Sequence, residues 1–436
     1  MKFSPMQKMQ HMPIWLITLA AIGGCQEGSN SVDATQATKP GSGAVSAPVV
    51  EKKINMSRFA INEFNTNSIY VMDGSTLDTL AQFTIQNKPS GLKTSPDGRY
   101  ALALQRNFDL VEIIDGGIYA EAHGDHFHVH SQPPVLLSSN YQGPKPTHYD
   151  LASSSVALFW DGNQTQNASF SVLTDATIAN ATQVARYTFD YPVHGTAQIF
   201  GDHVFTGIVD STTPEPLPNK VVALELHGDH FHELSAATDL CPELHGSAQA
   251  KTYLGFGCDD GVMIVNNPDT TPQFTKLPNP ASLEVDTRIG TVIGFPSADQ
   301  LLFVTSKLQA FYLSQGQLKE VTWKSSADER SLAYYATKDK LIIVSSTGAL
   351  KVFNAATNFT QIHSIKLWDA VPTLANGQRI QLAEDKRTGN IIVTNPANST
   401  LLEVTVSSTP SIKEHQLSFV PGSITWLGTT KEDHQH

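Results

Sequence analysis

Five short stretches of the chain decide its fold, because each sets a polar turn with an aspartate directly ahead of a run of strand-forming apolar residues. They are SPDGRYALAL (95–104), FGDHVFTGIV (200–209), SADQLLFVTS (297–306), TKDKLIIVSS (337–346) and DKRTGNIIVTN (385–395). Their aspartates are Asp97, Asp202, Asp299, Asp339 and Asp385. The spacing indicates a repeat of about 40 to 52 residues, with the first two intervals each covering two units.

A repeat of this length is typical of a four-stranded propeller blade. Dividing residues 56–436 by a period of about 47 predicts eight blades, with seven as the alternative. The first blade begins at residues 58–85 without an innermost strand, and GSITWLG (422–428) can supply that strand and close the ring. A pair of β-sandwiches would instead show shorter spacing and no recurring turn. We therefore predict an all-β protein with a β-propeller over residues 56–430 and a tail over 431–436.

Composition excludes several classes of protein. Charged residues make up 16% of the 436 residues, against about 25% in a typical domain, which argues against a coiled coil and against an acidic disordered tail. Lys and Arg number 29 against 41 for Asp and Glu, a net charge of −12. Such a surface repels a phosphate backbone, so no nucleic-acid partner is expected.

The N-terminus reads as an export signal with a lipid attachment site. Lys2 and Lys8 form a basic region, and PIWLITLAAIGG (13–24) is an apolar run too short to span a bilayer. The following tetrapeptide, IGGC, resembles a bacterial lipobox, which predicts a signal peptide over residues 1–24 and lipidation of Cys25. Ordinary cleavage with a stray cysteine is the alternative.

Residues 25–55 are rich in Ser, Thr, Gly, Ala and Gln and carry almost no large apolar side chain. Such a segment cannot bury enough surface to fold, so we predict a flexible tether. The residue after the cysteine is Gln26 rather than the Asp that usually retains lipoproteins at the inner membrane. We therefore expect a protein of the bacterial periplasm that is anchored by lipid alone, at the outer membrane.

The other two cysteines, Cys241 and Cys258, suit an oxidising compartment. An even number of cysteines behind a signal peptide predicts a disulfide. On the chain-entropy model such a bond would stabilise the fold by about 3 kcal/mol. A thiolate zinc site would need two further ligands nearby.

Histidines carry the functional signal, since the segments HGDHFHVH (123–130) and HGDHFHEL (227–234) share the hexapeptide HGDHFH. Alternate side chains of a strand share one face, so the imidazoles of each segment can converge on one Zn²⁺, with a carboxylate or water completing a tetrahedron. The candidate ligands are His123, Asp125, His126, His128 and His130 in the first copy and His227, Asp229, His230 and His232 in the second. Cu²⁺ and Ni²⁺ remain chemically possible.

Both copies are predicted at exposed hairpins between the third and fourth strands of their blades. Solvated turns without metal are the alternative, because Gly-Asp is an ordinary turn signal. Exposure favours weak, fast-exchanging capture of metal over a closed structural site.

A second set comprises His148 in KPTHYDLA, His194 in YPVHGTAQ and His245 in PELHGSAQ. Each is predicted just before the innermost strand of one of three consecutive blades, so the three rings should meet near the central channel. They could form a three-histidine zinc site with one open position. The alternative is that they are structural hydrogen-bonding groups.

Taken together, the repeated HGDHFH, the DGG at 115–117, the VHG and LHG entries and the pair CPELHG (241–246) and GFGCDDGV (255–262) resemble the AztD-type periplasmic zinc metallochaperones. The resemblance implies a β-propeller that binds zinc and passes it to the zinc-specific substrate-binding protein of an ABC importer. The chain departs from that family in its predicted lipid anchor and in lacking a charged, His-rich N-terminal arm.

The sequence does not resemble that of a common enzyme class, because it has no G-x-S-x-G elbow, P-loop or dinucleotide fingerprint. A propeller lactonase or metal-dependent hydrolase is the enzyme alternative, since an open zinc site can activate water. A lipoprotein scaffold is the third possibility. We expect a metallochaperone that is not an enzyme.

Overall fold

The computed structural model describes residues 56–213 and 216–434, and the regular secondary structure of these residues is almost entirely β-strand. The predicted signal peptide (1–24), Cys25 and the tether (25–55) lie outside the described residues, as do the last two residues of the tail. The strands form eight four-stranded antiparallel sheets and one extra two-stranded sheet. The all-β propeller with eight blades is therefore confirmed, and the seven-bladed alternative is wrong.

The strand bounds of blades one to four follow in chain order. Blade one contains β1 (Ser57–Glu63), β2 (Ser68–Asp73) and β3 (Thr79–Thr84), and it also takes β34 (Pro421–Gly428). Blade two contains β4 (Gly91–Thr94), β5 (Tyr100–Gln105), β6 (Leu110–Asp115) and β9 (Val135–Gln142). Blade three contains β10 (Pro146–Leu151), β11 (Val156–Trp160), β12 (Ser169–Leu173) and β13 (Ala185–Thr188). Blade four contains β14 (Ala197–Phe200), β15 (His203–Ile208), β16 (Lys220–His227) and β17 (His230–Ala236).

Blades five to eight each use four consecutive strands. They are β18 (Ser247–Gln249), β19 (Tyr253–Cys258), β20 (Gly261–Asn266) and β21 (Gln273–Pro278); β22 (Ile289–Phe295), β23 (Gln300–Thr305), β24 (Ala310–Ser314) and β25 (Gln317–Glu320); β26 (Ser331–Ala336), β27 (Lys340–Ser345), β28 (Ala349–Asn354) and β29 (Thr360–Lys366); and β30 (Leu382–Glu384), β31 (Ile391–Asn395), β32 (Thr400–Thr405) and β33 (Ser411–Gln416).

The ring is closed by its last strand, as the sequence predicted. β34 pairs antiparallel with β1, with Phe59 opposite Trp426, and so becomes the innermost strand of blade one. The indole of Trp426 donates a hydrogen bond of 2.8 Å to Ser57 Oγ. Both ends of the propeller are thus held in one sheet.

Burial explains why the second strand of each blade carried the strongest sequence signal. All residues of β5 and β31 are buried, whereas β33, an outermost strand, is mostly exposed. A second strand packs against neighbouring blades on both faces, so it reads as a continuous apolar run. The recurring aspartate turns join the first and second strands of their blades.

One blade departs from the regular pattern. An extra hairpin, β7 (Ile118–His123) and β8 (His126–Ser131), is inserted between β6 and β9 of blade two. The first HGDHFH copy forms the tip of this hairpin, so it does lie between the third and fourth strands as predicted, but on an inserted pair of strands and not in the turn that joins β6 to β9. The second copy does occupy such a turn, between β16 and β17.

Helices are minor elements of the described residues. They are α1 (Asp175–Ile178) and two 3-10 turns, at Arg106–Phe108 and Ala355–Thr357. Across residues 56–213 and 216–434, no helix has the length and apolar character needed to cross a membrane. The predicted disulfide between Cys241 and Cys258 is present and fully buried.

Candidate metal centres

The rings of His148, His194 and His245 meet, and we call them the inner cluster. His148 Nε2 lies 3.3 Å from His194 Nε2, which lies 3.1 Å from His245 Nε2. A tetrahedral Zn²⁺ with Zn–N bonds of about 2.0 to 2.1 Å separates its ligand nitrogens by about 3.3 to 3.4 Å. Both distances from His194 Nε2 are therefore close to the spacing that one zinc ion requires, and all three nitrogens lie within 4.8 Å of one another.

The elements that carry these rings come from blades three, four and five. His194 and His245 lie in the loops that enter β14 and β18, as predicted. His148 lies within β10 instead of before it, at a point where the pairing of β10 with β11 shifts register. That irregularity re-aims its side chain, which is the usual effect of a bulge.

Hydrogen bonds to the other ring nitrogens fix the tautomers. His194 Nδ1 lies 2.9 Å from Asp161 Oδ2, and His245 Nδ1 lies 2.7 Å from the carbonyl oxygen of Gly290. Both partners only accept hydrogen bonds, so both Nδ1 atoms carry the proton. The two Nε2 atoms therefore face each other with lone pairs, an arrangement that a cation between them stabilises.

Asp161 is itself held in the charged form. Its carboxylate accepts hydrogen bonds from Arg106 at 2.7 Å and from Thr147 at 2.9 Å. Burial raises the pKa of Asp161, but the hydrogen bonds from His194, Arg106 and Thr147 outweigh burial and lower the pKa below its usual value. A carboxylate behind a ligating imidazole raises the ligand's basicity and fixes its orientation.

Burial keeps two rings of the inner cluster, His148 and His245, in the form that binds metal. Desolvation, followed by repulsion from His194 and His245, lowers the pKa of His148 to about 4. Desolvation also lowers the pKa of His245. Neutral imidazole is the metal-binding form, so these rings are ready for a cation at neutral pH.

A polar tier lies two residues beyond each histidine of the inner cluster, at Asp150, Thr196 and Ser247. Thr196 Oγ1 donates to Asp150 Oδ2 at 3.0 Å and lies 2.6 Å from Ser247 Oγ. These two contacts link the three blades at the same offset from each histidine. Burial raises the pKa of Asp150 to about 7 against the opposing hydrogen bond from Thr196.

Glycine makes the close approach at one entry loop possible. Gly246 follows His245 with φ at +73°, a conformation that favours glycine. A Cβ atom there would also lie 2.6 Å from the carbonyl oxygen of Gly290, the residue that holds the His245 ring. The LHG signature at this blade entry thus has a backbone cause.

A second set of three rings lies at the tip of the extra hairpin, and we call His123, His126 and His128 the hairpin cluster. His123 pairs with His126 across a tight Gly-Asp turn, and His126 Nε2 lies 3.3 Å from His128 Nε2. The ring centroids are 5.0 to 5.3 Å apart. The rings are exposed or half-buried, so metal can reach them directly.

Two predicted ligands of the first copy take other positions. Asp125 Oδ1 lies 3.1 Å from His126 Nδ1, where it can orient the ring and is not directed at the shared Nε2 atoms. His130 lies farther along the strand, with Nε2 3.2 Å from Glu121 Oε2 and its ring stacked on Tyr119. The structure therefore gathers three of the five residues.

The second HGDHFH copy is more open than the first. The ring centroids of His227 and His230 are 6.3 Å apart, against 5.1 Å for the matching pair in the first copy. His227 Nε2 lies 3.0 Å from Glu225 Oε2, and His230 Nδ1 lies 3.2 Å from Asp229 Oδ1. Among the described residues, metal-ligating atoms converge in two sets of three, which are the inner and hairpin clusters.

Sequence reasoning missed the groups that hold the rings in place. Asp161 lies in blade three and acts on His194 of the next entry loop, 33 residues later. The Gly290 contact uses a backbone carbonyl that any residue could supply. Neither has a local motif, so only the folded ring brings them to the histidines.

Comparison with curated proteins finds a zinc chaperone among the proteins similar to this chain. The chain is 24% identical over 402 residues to the zinc chaperone AztD of Citrobacter koseri, a match that covers 88% of this chain and 89% of that protein. No family model matches the chain. The resemblance to AztD proteins that the histidine segments predicted is confirmed.

Solved structures agree on the fold. The crystal structure of Citrobacter koseri AztD superposes with a TM-score of 0.72 at 20% identity, covering 87% of this chain and 99% of that one. Dihydro-heme d1 dehydrogenase NirN follows with a TM-score of 0.56 at 12% identity, covering 85% of this chain and 75% of that one. At these identities the likeness concerns the propeller alone.

Proposed function

From the zinc-chaperone relative and the two clusters, we propose that this protein is a zinc metallochaperone. Zn²⁺ is its cargo, and it hands the ion to the substrate-binding protein of a zinc ABC importer. One observation carries the proposal: His194 Nε2 lies 3.3 Å from His148 Nε2 and 3.1 Å from His245 Nε2, and the lone pairs of His194 and His245 face each other. That geometry is costly without a cation and fits zinc.

The two clusters suit different steps of such a task. The half-buried inner cluster, fixed by Asp161 and by the polar tier, holds its ligands in place before metal arrives, which favours tight binding. The exposed hairpin cluster can take up metal quickly from solution. Three imidazoles leave one position of a tetrahedron for a ligand of an incoming partner.

In this proposal the protein binds and transfers metal and is not an enzyme. The fold itself does not decide the matter, because NirN, which has a similar propeller, is a dehydrogenase. The AztD relative is a zinc chaperone, which supports transfer of metal rather than turnover of a substrate.

Transfer within a complex is the test. Zinc-loaded protein is mixed with the apo substrate-binding protein of a zinc importer, with and without a chelator that traps free metal. We expect zinc to reach the acceptor faster than it dissociates into solution, and mostly in spite of the chelator. Complete interception by the chelator, at the bare dissociation rate, would identify a zinc buffer and refute the chaperone proposal.

We further propose that the propeller works from the outer membrane on the periplasmic side, tethered through lipidated Cys25. Support comes from the IGGC sequence at the end of the apolar run. In cells, Cys25→Ala is expected to move the protein from the membrane fraction to the soluble fraction. An unchanged distribution would contradict the anchor.

A further inference from the structure

The described end of the chain, residues 431–434, lies along the extra hairpin. The backbone N–H of His434 donates to the carbonyl oxygen of Phe127 at 3.0 Å. The backbone N–H of Val129 in turn donates to Asp433 Oδ1 at 2.8 Å. These two bonds lie on the edge of β8 that is not paired with β7, so the tail occupies a strand edge that would otherwise be open.

Contacts farther back along the tail hold it against the body. Lys431 Nζ lies 4.7 Å from the centre of the Phe127 ring, a cation–π contact. Arg387 of blade eight lies 3.3 Å from Glu432 Oε1 and donates to the carbonyl oxygen of Lys431. The tail thus links blade eight to the hairpin of blade two.

This seating brings the His434 ring to the hairpin cluster. Its centroid lies 4.8 Å from that of His126, no farther than the spacings of 5.0 to 5.3 Å within the cluster. Alternation along β8 places Phe127 and Val129 on the opposite side of the strand from His126 and His128. The backbone of the tail therefore binds the edge while its imidazole reaches the histidine face.

We propose that His434 is the fourth ligand of a zinc site formed by His123, His126 and His128, so that the C-terminal tail is a metal-responsive strap. The inference rests on the proposed function, since it assumes that the hairpin cluster binds zinc. Four imidazoles complete the tetrahedron that three leave open. Because the fourth ligand is carried on a short tail held by few bonds, the tail can leave without unfolding a blade.

The test is a competition titration of the full chain with Zn²⁺ for three variants. The phase that disappears in His123→Ala/His126→Ala/His128→Ala identifies the hairpin site. His434→Ala is expected to weaken that phase by at least about 10-fold, because loss of a ligand costs no less than loss of a group that only supports a ligand. His363→Ala, in the outermost strand of blade seven, removes an imidazole elsewhere and should leave the affinity unchanged.

A second measurement follows the strap itself. Hydrogen exchange of the peptide covering residues 429–434 should slow on addition of Zn²⁺ in the natural protein, but not in the triple hairpin variant. Asp433→Ala keeps the imidazole and removes the acceptor for the Val129 N–H, so it should weaken zinc binding less than His434→Ala.

The possible failures are distinguishable. If the triple hairpin variant loses no phase, the hairpin cluster does not bind zinc and that part of the proposed function fails. If the triple variant loses a phase and His434→Ala retains the natural affinity and exchange pattern, zinc binds there without the strap and this inference is overturned.

Discussion

Replacing His148, His194 and His245 together with alanine is expected to abolish the tightest phase of zinc binding. The three Nε2 atoms supply all the protein ligands of the inner cluster, at separations of 3.1 and 3.3 Å. Without them, the described channel-facing site keeps no imidazole to bind the ion. The measurement is a competition titration against a chelator of known affinity, with thermal unfolding of the metal-free protein as a control for folding.

A graded variant separates ligation from a structural role. Asp161→Asn keeps the shape of the side chain but removes the charge that faces His194 Nδ1 at 2.9 Å. We expect zinc affinity to fall by about 10- to 100-fold, as for other carboxylates behind a ligating histidine. A tight phase that survives the triple substitution would show that these rings serve only as hydrogen-bonding groups.

Acidification to pH 5 is expected to empty the hairpin cluster before the inner cluster. Only neutral imidazole binds metal, and an imidazole of ordinary pKa, near 6.5, loses about 30-fold in availability at pH 5. Burial lowers the pKa of His148 to about 4, so that ring stays neutral at pH 5 and competes less with protons. Because the pKa of His148 is lowered, acidification removes less of its metal-binding neutral form than it would for an imidazole whose pKa is raised on folding.

The measurement is the metal retained after dialysis at a series of pH values, with the two phases assigned by the alanine variants. The triple hairpin variant should retain its remaining zinc at pH 5. Loss of zinc from both clusters at the same pH would contradict the predicted order of release.

Much of the fold followed from local signals in the sequence. A buried second strand, such as β31, is apolar along its whole length because both faces are covered, and its turn needs an aspartate or glycine. These features mark five of the eight blades, and their spacing predicted eight blades with seven as the alternative. The extra hairpin β7–β8 was not predicted, since its strands are mostly half-buried or exposed and resemble the outer strands of any blade.

The candidate site was predictable only in part, for a geometric reason. His194 and His245 precede glycine in matching entry loops, so their common position could be inferred from sequence. Which members of each HGDHFH segment converge depends on twist and on nearby carboxylates. Glu121 lies against His130 and Glu225 against His227, and neither pairing has a sequence signature.

Closure of the ring by β34 bears on how the protein is made. β34, which completes blade one, follows all the other described strands in the chain. The propeller therefore cannot close until residues 421–428 have been synthesised, even if the earlier blades have already folded. The tail that reaches the hairpin follows that strand by a few residues. A chain clipped just after Gly428 would keep a sealed ring and lose His434, whereas one clipped before Pro421 would lose both. Closure of the ring and delivery of His434 to the hairpin therefore depend on the same stretch of chain, residues 421–434.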